Sequence, residues 1–117
     1  MQIEIQARNF SITHALRMHI ERRLGFALST CYRHVKRILV RLSDINGPRG
    51  GNDKRCQIEV TLPGQAVVVE DTEADLYFAV NRAAARASRT VKRQLRRRRD
   101  ITRLHTPADR ALSEGSA

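Results

Sequence analysis

Thr72-Glu73-Ala74-Asp75-Leu76-Tyr77-Phe78-Ala79-Val80-Asn81-Arg82-Ala83-Ala84-Ala85-Arg86-Ala87-Ser88-Arg89-Thr90-Val91-Lys92-Arg93-Gln94-Leu95-Arg96-Arg97-Arg98-Arg99 carries two periodic patterns at once. Leu76, Val80, Ala84, Ala87, Val91 and Leu95 recur at steps of four or three, which is one apolar stripe on an α-helix. Arg82, Arg86, Arg89, Arg93 and the pair Arg96/Arg97 recur at the same steps. At 100° per residue they fall nearly opposite the apolar stripe. The spacing predicts a helix over 73–99, opened by a capping box at Thr72-Glu73-Ala74-Asp75. No acidic residue occurs between Asp75 and Asp100, so the sequence reads as a buried face backed by a long, uncompensated arginine face.

Such a face is unusual for a merely solvated helix. Solvated faces alternate signs, because opposite charges four residues apart stabilise the helix and like charges cost a few tenths of a kcal/mol. Arginine also presents a flat fork that matches phosphate better than the point charge of lysine. A polyanion-binding role follows for Arg82, Arg86, Arg89, Lys92, Arg93, Arg96 and Arg97.

The totals agree. The 117 residues allow one modest domain, with a formal net charge of +10 and a pI near 11.1. That balance points to nucleic acid before an acidic membrane surface. Aromatic residues make up 4% and Trp is absent, which argues against a base-stacking platform and for recognition of backbone and shape. Cys31 and Cys56 fall on expected inward faces and read as buried, reduced thiols. The start Met1-Gln2-Ile3-Glu4 is not a secretory signal, and no apolar run approaches the roughly 20 residues of a membrane span. A cytoplasmic location is expected.

Working back from the helix, residues 2–8 alternate as a half-buried strand, with Ile3, Ile5 and Ala7 on one side. A first helix runs from a Thr13 cap to about Thr30, with Leu16, Ile20, Leu24, Ala27 and Cys31 as its stripe and Arg17, Arg22 and Arg23 around it. Strands follow over 37–43, 55–62 and 65–70, with a flexible loop over 44–54 and a tight turn at Pro63-Gly64. The order is β-α-β-β-β-α. This is an α+β fold: a four-stranded mixed sheet with two helices packed on one face, the first two strands parallel through a right-handed crossover. The other sheet face, with Arg37, Arg41, Arg55, Gln57, Glu59 and Thr61, is expected in water. Residues 1–104 form the domain and 105–117 a flexible C-terminal tail.

Catalytic chemistry is not visible. Glu70, Asp71, Glu73 and Asp75 are read as complements to the helix dipole, each contributing about 0.3–1 kcal/mol. His14, His19, His34 and His105 lack ligand spacing, so no metal or other cofactor is expected. The glycine-rich 47–54 segment lacks a Gly-Lys-Ser/Thr ending and precedes a strand, which excludes a nucleotide-type phosphate loop, although Arg49, Lys54 and Arg55 lie within reach of phosphate. No nucleophile–base pair can be nominated, and an enzyme is not expected.

Asp75-Leu76-Tyr77-Phe78-Ala79-Val80-Asn81, followed by Arg86-Ala87-Ser88-Arg89-Thr90-Val91-Lys92-Arg93, carries a family resemblance. With Thr13-His14-Ala15-Leu16-Arg17 and the element order, it resembles the ribosome hibernation promoting factors, which include the ribosome-associated inhibitor A (protein Y) branch. The resemblance covers about residues 1–98. It implies binding to the small ribosomal subunit, through 16S-type rRNA, in the channel that holds mRNA and tRNA, with translation blocked and idle ribosomes protected. It makes Arg86, Arg89 and Arg93 contacts to the rRNA backbone, extended by Arg82, Lys92, Arg96 and Arg97. Arg17, Arg22 and Arg23 match basic positions of the family's first helix; Leu76, Tyr77 and Val80 match packing positions. Asn81 stands where the family usually has Asp, and Ala85 where it has an acid. The length matches the short type, without a further dimerisation domain. Whether such a factor pairs ribosomes or silences single ones stays open. Six to eight phosphate contacts imply a log–log salt slope of roughly −4 to −7. Two rivals use the same basic face: a double-stranded RNA or DNA binder without ribosome preference, and an adaptor for an acidic protein partner.

Overall fold

The computed structural model describes residues 2–45 and 53–105, with side chains up to Arg98. Most of the expected loop over 44–54, including Arg49, and the expected tail beyond His105 lie outside the described residues. The elements are β1 (Ile3–Arg8), α1 (His14–Ala27), a short 3₁₀ turn (Tyr32–His34), β2 (Arg37–Asp44), β3 (Lys54–Leu62), β4 (Gln65–Glu73) and α2 (Leu76–His105). The sheet order is β1-β2-β3-β4; β1 and β2 are parallel, and the other two pairs are antiparallel. The expected architecture is the one observed, with both helices on one face of the sheet.

Alternation sets the sheet's two faces. Ile38, Val40 and Leu42 of β2, and Cys56, Ile58, Val60 and Leu62 of β3, are almost wholly buried beneath the helices. Helix α1 adds Leu16, Ile20 and Leu24 to this core, and α2 adds Ala79, Val80, Ala83, Ala84, Ala87 and Val91. Each buried aliphatic side chain contributes on the order of 1.5–3 kcal/mol. The four alanines let the α2 backbone lie close to the sheet, and Ala79 and Ala83 widen its buried face beyond the expected stripe.

Element ends differ from the sequence reading in instructive ways. Thr13 caps α1 as expected, its hydroxyl accepting from Leu16 N at 3.1 Å. The helix stops at Ala27, though, and Cys31 reaches the core from the turn that follows. β4 continues three residues beyond Glu70, because Asp71, Thr72 and Glu73 pair with Cys56, Arg55 and Lys54. The ladder therefore holds the chain extended past the proposed capping box. The cap is Asp75 instead of Thr72: its Oδ1 accepts from Tyr77 N at 2.7 Å and from Phe78 N at 3.3 Å. At the other end α2 runs through Arg98 and Arg99 to His105. Gly64 turns β3 into β4 with φ +77°, a left-handed conformation that favours glycine.

Candidate nucleic-acid interface

Helix α2 places its cations by sequence period and anchors them by burial of the opposite side. Val80, Ala84, Ala87 and Val91 are pressed to the sheet, so Arg82, Arg86, Arg89, Lys92, Arg93, Arg96 and Arg97 are all exposed. These seven side chains share one elongated surface, but the surface is electrically divided.

The first two arginines are held by carboxylates. Arg82 Nε lies 2.9 Å from Glu73 Oε2 and 3.4 Å from Asp71 Oδ1, and Arg86 Nη2 lies 3.2 Å from Asp71 Oδ2. The Asp71 side chain is only 10% exposed. The expected uncompensated face is thus compensated at its N-terminal end. The reading of Asp71 and Glu73 as dipole complements is also corrected: they lie in β4, not in the first turn of α2. They continue the helix-side face of Val67 and Val69, which aims them at the flank of α2. The signal was available, since extending the period of two by three residues puts both acids on that face. Glu70 is on the outer face, 3.8 Å from Arg55 Nε.

Beyond Arg86 the balance changes. Arg89, Lys92, Arg93, Arg96 and Arg97 have no carboxylate partner among the described residues. Arg98 turns the other way and donates from Nη1 to the Pro63 carbonyl, tying the helix to the β3–β4 turn. Unmatched like charges at three- and four-residue spacing repel one another in the free protein, and a polyanion relieves that repulsion.

Helix α1 supplies the second set, and the structure divides it. His19 is where the helices meet: its Nε2–H donates to Asn81 Oδ1 at 2.8 Å, and its ring lies 4.8 Å from that of Tyr77 at a tilted 57°. Asn81 thus serves as a neutral acceptor between helices. Arg22 is exposed on α1, and Arg23 is half-buried with its Nε shielded and unpartnered in the protein. Arg17 borders a recess with Gln2, Ile3, Glu4, Ile5 and Arg37, at the β1 edge. It belongs to a different surface from the α2 row. The sequence reading also overlooked Phe26 and Phe78, which are 78% and 62% exposed on the two helices.

Both cysteines are buried and free. Burial pushes the Cys56 thiol up to about 12, with the nearby Asp71 carboxylate adding to the effect, and burial also raises Cys31. No helix among the described residues is long and apolar enough to cross a membrane.

Comparison with known proteins agrees with this geometry. A crystal structure of the Thermus thermophilus Protein Y N-terminal domain is 37% identical, with a TM-score of 0.66; the match covers 80% of this chain and 98% of that one. A ribosomal subunit interface protein from Coxiella burnetii, 21% identical, shares the fold with a TM-score of 0.71 over 80% of this chain and 97% of that one. No curated protein matches significantly. The family profile described as sigma 54 modulation protein / S30EA ribosomal protein matches residues 3–99, and the chain belongs to that family.

Proposed function

We propose that this protein is a ribosome hibernation factor, which binds the small ribosomal subunit in the mRNA/tRNA channel and blocks translation. The observation that carries the reading is the row Arg89, Lys92, Arg93, Arg96 and Arg97: exposed, on one rigid helix, and without carboxylates among the described residues. Its contacts are to 16S-type rRNA phosphates, and Arg22 and Arg23 extend the surface from α1. The mechanism is steric. A folded domain occupies the space that mRNA and tRNA need, and no bond is made or broken. The family membership and the likeness to the Protein Y domain support the ribosome as partner, which also implies work in the cytoplasm. Conditions that idle ribosomes, such as stress or stationary phase, are where such a factor acts.

The test is co-sedimentation with small subunits at about 0.15 M salt in the presence of excess bulk RNA. The expected result is wild type bound, Arg86→Glu/Arg89→Glu/Arg93→Glu free though folded, and mRNA and tRNA displaced by wild type. Stripping of the wild type by bulk RNA would leave a general polyanion binder. Binding that persists after nuclease treatment would point to an acidic protein partner.

A further inference from the structure

The sheet face turned away from the helices carries a second basic site. Residues of one face stand in register across three strands: Gln6 beside Arg41 beside Gln57, and Arg8 beside Ser43 beside Arg55. These six side chains border a recess of about 320 Å³ that has no acid in its lining. Two features show that it is more than scattered surface charge. Arg41 Nη1 donates to Gln57 Oε1 at 3.4 Å, and Arg55 Nε, shielded from solvent, makes no hydrogen bond within the protein. In addition, Asn9, directly after Arg8, holds φ +74°, the one non-glycine left-handed residue among those described. Its Nδ2 donates to the Asp44 carbonyl at 3.2 Å, clamping the end of β1 to the end of β2. Asparagine accepts this conformation more readily than other non-glycine residues, and the turn it makes ends β1 directly after Arg8, which the strand ladder sets beside Ser43.

The neighbouring carboxylates compensate the recess only in part. Arg41 forms a long ion pair with Glu59 at 4.0 Å and Arg55 one with Glu70 at 3.8 Å, both beyond hydrogen-bond distance, and Glu4 is taken up by Arg37 at 2.7 Å. Asp44 is engaged by Lys54 at 3.4 Å, and Arg8 has no carboxylate partner among the described residues. Three guanidinium groups with amide and hydroxyl donors around one recess match a tetrahedral, multiply charged oxyanion, because forked donors reach several oxygens together.

We propose that this recess binds a phosphate group, so that the protein carries a phosphate site on its sheet face as well as on its helix face. The proposal stands on the recess alone and does not require the ribosome reading. The phosphate comes either from an RNA backbone or from a free anion, and the experiment separates the two. Uniformly ¹⁵N-labelled protein is titrated first with inorganic phosphate, against chloride at matched ionic strength, and then with a short RNA duplex. Amide and arginine Nε resonances of Arg8, Ser43, Arg41 and Arg55 are followed. Saturable shifts in the phosphate arm assign a free-anion site; saturation in the RNA arm alone assigns a backbone phosphate. The Arg41→Gln/Arg55→Gln variant is expected to lose either response while its α2 resonances still move with RNA. One lost phosphate contact lowers RNA affinity about fivefold at about 0.15 M salt. Arg8→Gln repeats the test without disturbing the two central strands. The Arg89→Glu/Arg93→Glu variant is expected to keep the recess response to phosphate, which separates failure of this site from failure of the helix face. Shifts that merely follow ionic strength in both arms, or variants that bind like wild type, would overturn the proposal.

Discussion

The division of the α2 face makes Arg86 and Arg89 unequal, although sequence period treats them alike. Arg89 is exposed with no carboxylate partner among the described residues, so a phosphate contact there displaces only counter-ions. Each such contact adds about 0.7–0.9 to the slope of log affinity against log salt. Arg89→Ala is therefore expected to flatten the slope by about 0.8 and weaken binding about fivefold at about 0.15 M salt. Arg86 must first leave Asp71, 3.2 Å away and only 10% exposed, and a vacated carboxylate in that position loses its main partner. Arg86→Ala is expected to change the slope by less than about 0.3, with the loss appearing in stability at about 0.5–1 kcal/mol. Asp71→Asn reverses the asymmetry. It releases Arg86, while Glu73 still holds Arg82 at 2.9 Å, steepens the slope by about 0.8, and raises affinity for any RNA. The assay is fluorescence anisotropy with a labelled RNA duplex from about 0.05 to 0.4 M KCl, with thermal melts in parallel. Equal slope changes for Arg86→Ala and Arg89→Ala, together with an unchanged slope in Asp71→Asn, would refute the division. By the same arithmetic, the five unmatched cations alone give a slope of roughly −3.5 to −4.5, at the shallow end of the sequence-based expectation.

Other expectations follow from the scaffold. Asp75→Ala removes the acceptor for two backbone N–H groups and is expected to cost about 0.5–2 kcal/mol, read by urea denaturation. Thr72→Ala, at the sequence-proposed cap, is expected to cost less in the same experiment. Ala87→Leu inserts bulk where the helix meets the sheet at a fully buried position. A loss of about 1–3 kcal/mol is expected, and an unchanged melting temperature would mean that α2 does not pack as described. Cys56 makes stability depend on alkali. Its pKa is raised to about 12 from an ordinary 9.0, so the unfolded chain releases the proton first. This thiol leaves stability unaffected below pH about 9 and lowers it by about 1.4 kcal/mol per pH unit above that, until the folded pKa is reached. Cys56→Ser or Cys56→Ala melts compared between pH about 8 and 10.5 measure this, and native Cys56 is expected to resist alkylation until the protein unfolds.

What sequence could reveal depended on whether the signal was periodic within one element or arose between elements. Val80, Ala84, Ala87 and Val91 repeat along a single helix, and Ile38/Val40/Leu42 and Cys56/Ile58/Val60 along single strands, so their buried faces were visible as pattern. The parallel pairing of β1 with β2 followed from the intervening helix. The extension of β4 was easy to miss because Asp71 and Glu73 are poor strand formers held extended by partners on β3, although the period of two runs on through them. That hid in turn the pairing of Asp71 and Glu73 with Arg82 and Arg86, which depends on how closely α2 crosses the strand. Arg17 and Arg22 look similar in sequence, yet the packing of α1 sends them to different surfaces. The sheet-face recess likewise needed register: Arg8, Arg41 and Arg55 are far apart in the chain and adjacent only across strands.

Helix α2 is also longer than the sheet it lies on. Arg98 bonds to the Pro63 carbonyl at the end of the strands, and the helix continues to His105, about 10 Å further. A continuous helix fixes the phase of everything along it. Deleting one residue between Arg89 and Arg93 would leave composition and charge almost untouched but rotate all that follows by about 100°. Arg96 would move into the place of Leu95, which packs against the core, and Arg98 would leave its turn. The row therefore acts as a keyed rod, and insertions and deletions in it are far more damaging than substitutions.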